Sequence, residues 1–139
     1  MPRILEGAVV TLQISVSALF FSLLLATLLT ILRTTGFRPA IAAINVYISY
    51  IRGTPLLIQI FLVFYVLPLI GIDLSPLVAG IVALSLSSAA FTTEIMRGGL
   101  AAIPIGQIEA ARSLGLNPAV TWQKIILPQM FNLIVPPLV

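Results

Sequence analysis

The chain has no cysteine and no histidine, and only 8% of its 139 residues are charged. Without cysteine there is no disulfide, no thiolate nucleophile and no Cys-ligated metal. Without histidine the commonest metal ligand and general base is missing. Its acidic residues (Glu6, Asp73, Glu94 and Glu109) lie far apart in the sequence, so it offers no paired carboxylates for acid–base chemistry. The only lysine, Lys124, stands in Trp-Gln-Lys-Ile, nowhere near a G-x-x-x-x-G-K-[ST] phosphate loop. Together these absences argue against an enzyme and against a nucleotide site in this chain.

What is present is apolar. Hydrophobic residues make up 60% of the chain, whereas a soluble domain carries roughly 25% charged residues. Stretches 7–32, 53–72 and 74–93 contain no Asp, Glu, Lys or Arg. About 20 helical residues cross a hydrocarbon core of about 30 Å, so each stretch is long enough to span. The expected fold is all-α, a polytopic helical membrane protein. Spans are read at about 7–32, 53–72 and 74–96, with the start of a fourth from 125 and a polar loop at 97–124. The first span is too long for a signal-peptide core, and no small-x-small cleavage site follows it. The fourth stops at Val139, fifteen uncharged residues after Lys124, so the chain is read as C-terminally truncated.

Charge sets the expected orientation. With the 97–124 loop inside, Arg33, Arg38, Arg52, Arg97, Arg112 and Lys124 are cytoplasmic and only Arg3 is outside. The positive-inside rule favours this arrangement, with the N-terminus outside. These positive charges flank hydrophobic spans, so topology explains them better than a nucleic-acid partner does. Segment 39–51 is too short to span. It reads as an interfacial helix with Tyr47 and Tyr50 at headgroup depth, the alternative being a cytoplasmic extension of the next span. Arg52-Gly-Thr-Pro55 then breaks and restarts the helix, Pro68 kinks or ends it, and Gly71-Ile-Asp73 forms a tight turn.

The 97–124 loop carries the most specific pattern. Pro104 can open a helix with Ile105, Ile108 and Ala111 on one face. Glu109 and Arg112 are spaced to pair, and Gly115 stands where a helix needs a left-handed residue to stop. Asn117-Pro118 supplies an N-cap and first position for a second helix, before Pro128 admits the next span. By itself this is a well-capped connector.

The spacing EAA-x3-G-x9-I-x-LP, formed by Glu109, Ala110, Ala111, Gly115, Ile125, Leu127 and Pro128, resembles the cytoplasmic-loop signature of ATP-binding-cassette (ABC) importer permeases. Three more segments are similar to the polar amino acid permeases of histidine, glutamine and arginine type. They are Arg52-Gly-Thr-Pro-Leu-Leu-Ile-Gln59, Ala83-Leu-Ser-Leu86, and Glu94-Ile-Met-Arg-Gly-Gly99 followed by Pro104-Ile-Gly-Gln-Ile-Glu109. The resemblance covers the chain from Gly7 to Pro128. It implies a type I importer permease of the bacterial inner membrane, with five spans in the complete protein. The loop's first helix would couple to an ATPase subunit through Glu109, Ala110, Ala111 and Gly115. The partners implied are ABC ATPase subunits that bind ATP and Mg, a second permease subunit (as a homo- or heterodimer), and an extracytoplasmic solute-binding protein. No cofactor is implied in this chain. Where such permeases often read Leu-Asn-Ser-Gly-Ala-Tyr, this chain has Leu86-Ser87-Ser88-Ala89-Ala90-Phe91, which leaves the preferred amino acid open.

Candidate pathway residues are Gln59, Ser85, Ser88, Thr92 and Glu94. Each has a plainer reading. Ser85, Ala89 and Thr93 at four-residue spacing equally serve close helix packing. Glu94, ionisable at a span's edge, equally pairs with Arg97 one turn away. Gln13 is read as an interhelical hydrogen-bonding residue. Two rival functions stand beside polar amino acid import: an importer permease for another small solute, and an ATP-independent channel or secondary carrier.

Overall fold

The structure is a computed structural model that describes residues 2–138. Among these every regular element is helical. The chain divides into two compact units, Met1–Thr93 and Glu94–Val139.

The first unit contains α1 (Pro2–Thr34), α2 (Arg38–Gly53), α3 (Leu56–Phe61) and most of α4 (Pro76–Ala101). α3 runs directly into a π-helical turn, Leu62–Val66, and a 3₁₀ turn, Leu67–Ile70. By length and composition α1 and α4 can each cross a membrane alone. α4 runs on past the expected 96, through Arg97 to Ala101.

The helix expected over 53–72 is trimmed at both ends. Gly53 closes α2, and the helical segment that follows covers only Leu56–Ile70. The segment meets the length and hydropathy needed for a span only together with α2, at a bend of 110°. Two prolines explain the trimming. Pro55 has no N–H with which to prolong α2, and Pro68 sits in the 3₁₀ turn that ends the segment. Gly71 then takes a left-handed φ of +84°, as its place in the expected turn requires. The bend also rules out α2 as a straight extension of the following helix.

Lipid tails are as apolar as leucine, so helices in a membrane associate through close packing. α1 accordingly buries a stripe of small residues, Ala18, Ser22, Ala26 and Thr30, one turn apart. Its large residues, among them Leu12, Val16, Leu19, Phe20 and Leu24, point outward. α4 answers with buried Ala79, Ala83, Ala89, Ala90 and Thr93. α2 is amphipathic and lays Ile44, Ile48 and Ile51 against Ala90, with Leu29 and Tyr47 packed alongside. Tyr47 turns inward, and its hydroxyl donates to the Leu86 carbonyl of α4 at 2.6 Å. Arg33 of α1 donates to the side chain of Asn45 on α2, and the Arg52 guanidinium stands 5.5 Å from the centre of the Phe91 ring.

The second unit holds the end of α4, then α5 (Ile105–Ser113), α6 (Pro118–Thr121), a π-helical turn (Trp122–Ile126) and α7 (Leu127–Leu138). α7 approaches α4 so closely at Gly99 that a Cβ there would lie 2.5 Å from Ile134 Cγ2. Met130 and Ile134 are buried at this contact.

Candidate functional site

The loop between α4 and α7 forms the two short helices and the glycine turn that its sequence predicts. Pro104, extended at ψ 130°, stands just before the first turn of α5 rather than within it. At the other end of α5 the Gly115 N–H bonds the Arg112 carbonyl at 2.9 Å. The Leu116 N–H bonds the Ala111 carbonyl at 3.1 Å. With Gly115 at φ +71°, this is a Schellman stop, in which two otherwise unsatisfied carbonyls find donors across a left-handed residue. Asn117 then caps α6 by accepting the Val120 N–H on Oδ1 at 2.8 Å. The Thr121 hydroxyl donates back to the Asn117 carbonyl.

This geometry fixes which residues the loop presents. Glu109 and Ala110 are exposed, and so are Ile105 at 72% and Leu114 at 77%. Ala111 is buried, so it offers no surface to a partner. Ile105 was expected on the same face as Ile108 and Ala111. It turns outward beside Glu109, four residues on, while Ile108 is half-buried. The exposed positions therefore include Ile105, Glu109 and Arg112 on one side of α5, with Ala110 and Leu114 turned toward the other side. Among the described residues no ion pair joins Glu109 to Arg112. Arg112 instead lines a cleft of about 260 Å³ between α5 and α6, with Ile108, Leu116, Thr121 and Trp122 among its other walls.

The pathway candidates are distributed differently. Ser85, Ser88 and Thr92 share one face of α4, at i, i+3 and i+7. Ser85 and Thr92 are buried and Ser88 half-buried. Ser85 donates to the Ile81 carbonyl at 2.6 Å, and Thr93 donates to the Ala89 carbonyl at 2.7 Å. Such bonds to the preceding turn satisfy hydroxyls without a second helix. Glu94 falls about half a turn away by helical register. It receives Arg97 in a two-pronged pair, with Nη2 to Oε2 at 2.9 Å and Nε to Oε1 at 3.1 Å. Gln59 lies on α3 and is buried, and its amide nitrogen is used by the backbone around Thr54. Gln13 is exposed on α1.

Sequence reasoning missed two features of the loop. The π turn at Trp122–Ile126 is closed by the Leu127 N–H reaching the Trp122 carbonyl. Gln129 follows the signature directly, and its Nε2 donates to the Ile125 carbonyl at 3.0 Å. The available signal was Pro128, which cannot donate to the Lys124 carbonyl and whose ring crowds it. A widened turn just before the proline relieves that crowding.

Comparison with known proteins agrees with this arrangement. Residues 18–139 match the family described as binding-protein-dependent transport system inner membrane component. The chain is 42% identical over 139 residues to the arginine transport system permease protein ArtQ of Bacillus subtilis, covering 99% of this chain and 64% of ArtQ. It is 35% identical over 137 residues to the L-cystine transport system permease protein TcyB of the same organism, covering 99% of this chain and 58% of TcyB. A solved crystal structure of an amino acid ABC transporter with histidines superposes with a TM-score of 0.88 at 34% identity, over 99% of this chain and 64% of that one. The chain thus spans roughly three-fifths of the length of these relatives. With its all-helical fold, its small-residue packing stripes and its doubly capped loop, the chain belongs to the inner-membrane component family of binding-protein-dependent transport systems, as an ABC importer permease.

Proposed function

We propose that the protein to which this chain belongs imports polar amino acids, as the permease subunit of an assembly whose ATPase subunits bind ATP and Mg. The observation that carries this reading is the exposed surface of α5. Glu109, Ala110, Ile105 and Leu114 project from a short helix whose end is held by Gly115. A short helix that exposes the large apolar Ile105 and Leu114 together with Glu109 suits a groove on a partner protein better than it suits water. The names of relatives that transport arginine and L-cystine support amino acids as cargo. Within the chain, Ser85, Ser88 and Thr92 are the polar groups retained for the path, and none is charged. Selection here is therefore weak and spread over hydroxyls. The assembly comprises a second permease subunit and an extracytoplasmic solute-binding protein, and the N-terminus lies outside.

The test is co-purification and ATP hydrolysis in the full-length assembly. Gly115→Val forces a β-branched residue into a left-handed backbone, at a cost on the order of 1 kcal/mol or more, and re-aims Glu109. Substrate-stimulated ATP hydrolysis should be abolished while membrane insertion and docking of the solute-binding protein persist. Glu109→Ala should weaken association less completely, because Ile105 and Leu114 survive. Normal co-purification and uptake in both variants would show that the loop is a plain connector. Single replacements Ser75→Cys, Arg38→Cys and Gln107→Cys test the orientation. Labelling of the first from the cytoplasm, or of the last from outside, overturns it.

A further inference from the structure

The break between α2 and α3 leaves the last carbonyls of α2 short of helical partners: the Thr54 N–H reaches the Ile51 carbonyl only at 3.4 Å, and Pro55 cannot supply an N–H. In a membrane protein such carbonyls need donors from the chain itself. Two side chains add the closer donors. The Thr54 hydroxyl donates to the Tyr50 carbonyl at 2.9 Å. Gln59 Nε2 reaches back over Pro55 to the Ile51 carbonyl at 2.8 Å and the Thr54 carbonyl at 3.0 Å. Gln59 is only 5% exposed, and among the described residues its Oε1 is buried without a partner. The amide's orientation is therefore set by its donor side alone.

We propose that Gln59 is a positioning residue of the transport path: its amide locks the elbow between α2 and α3 and, through Tyr47 of α2, holds α4 in place at Ser85, Ser88 and Thr92. This rests on the transport reading above. The linkage is continuous in the first unit. Gln59 fixes the end of α2 at Ile51, and Ile44, Ile48 and Ile51 pack on Ala90 of α4. The Tyr47 hydroxyl ties the same helix to the Leu86 carbonyl, one residue from Ser85 and two from Ser88. Side-chain bonds to buried carbonyls act at single points, so loss of one moves α2 without dissolving it.

Gln59→Glu makes a sharp test. It keeps the shape and, because Oε1 has no partner, changes only the donor side. A neutral carboxyl can still donate to one carbonyl, whereas a carboxylate repels both. In the reconstituted full-length transporter, uptake by Gln59→Glu should fall as pH rises through ionisation of the new carboxyl, over a range where the unaltered protein stays level. Gln59→Leu should lower uptake kcat/KM about tenfold at every pH, as expected for buried hydrogen bonds lost at the Ile51 and Thr54 carbonyls. Tyr47→Phe keeps the ring and should give a smaller loss in the same direction. The chain contributes no cysteine, so a Ser88→Cys thiol reports α4 directly, and its labelling rate should change in all three backgrounds. If Gln59→Leu does not assemble, the pH profile of Gln59→Glu and the labelling in Tyr47→Phe decide. Unchanged uptake and labelling in the variants at every pH would overturn the proposal. An unaltered assembly that takes up no amino acid would instead sink the transport reading, while thiol labelling would still read the elbow.

Discussion

The chain makes the same local structure twice and uses it to opposite ends. Leu67-Pro68 and Leu127-Pro128 each follow a five-residue π turn, Leu62–Val66 in one unit and Trp122–Ile126 in the other. In both, the leucine N–H closes onto the carbonyl five residues back, Leu67 to Leu62 and Leu127 to Trp122. The proline forbids the ordinary bond four residues back, and a widened turn accommodates it. Beyond the proline the two diverge. After Pro68 the helix tightens into a 3₁₀ turn and stops at left-handed Gly71. After Pro128 it continues as α7. Leu69 and Ile70, past the first proline, are 82% and 70% exposed, whereas Met130 and Ile134, past the second, are buried against Gly99. The dipeptide decides that the backbone widens. A packing seat and the absence of a following glycine decide whether it goes on.

The comparison can be broken most severely at Pro128. Restoring the N–H with Pro128→Ala should let the turn close to an α-helix, which rotates α6 against α7 by about 100°. Thermal stability of the assembly should then hold or rise while substrate-stimulated ATP hydrolysis is largely lost. Unimpaired hydrolysis would mean that the widened turn does not aim α5. Gly99→Val removes the seat instead. With a Cβ 2.5 Å from Ile134 Cγ2, overpacking should cost about 1–3 kcal/mol in thermal unfolding, and an unaltered melting curve would show that α7 does not depend on this contact.

A smaller effect is expected at the stop. Gly71→Ala places a Cβ at φ +84°, costing about 1 kcal/mol, and should speed hydrogen exchange at Ile72, whose N–H bonds the Leu67 carbonyl at 3.1 Å. Protection equal to that of the unaltered protein would mean the bend is imposed from elsewhere. The smallest change belongs to Pro68→Ala. Gly71 still ends the helix, so stability should shift by no more than about 0.5 kcal/mol and ATP hydrolysis should be unaffected. A loss as large as that of Pro128→Ala would make the two turns functional equals.

Much of the 97–124 loop was legible because its signals are local. Gly115 stops α5, Asn117 caps α6 and Gly71 turns the chain, each through hydrogen bonds within a few residues. The outward turn of Ile105 and the burial of Ala111 were not legible. Helical spacing shows which residues share a side, but the neighbour that covers that side is set by the fold. The hydrogen bonds of Gln59 were not legible for a related reason. A glutamine in an apolar stretch suggests a polar path, and only the 110° elbow brings the Ile51 carbonyl within its reach.

Sequence alone determined that the chain is helical and membrane-embedded, where its polar loop lies, and which prolines and glycines interrupt its helices. Those properties depend on side-chain transfer energies and backbone sterics that act residue by residue. Tertiary structure decided that 53–72 is an elbow and a shortened helix, that one π turn ends and the other continues, and that Ile105, Glu109, Ala110 and Leu114 are exposed while Ala111 is buried. The reason is physical. A helix interrupted by proline has several ways to satisfy its freed carbonyls, and the choice among them falls to donors and packing surfaces that only the folded chain brings together.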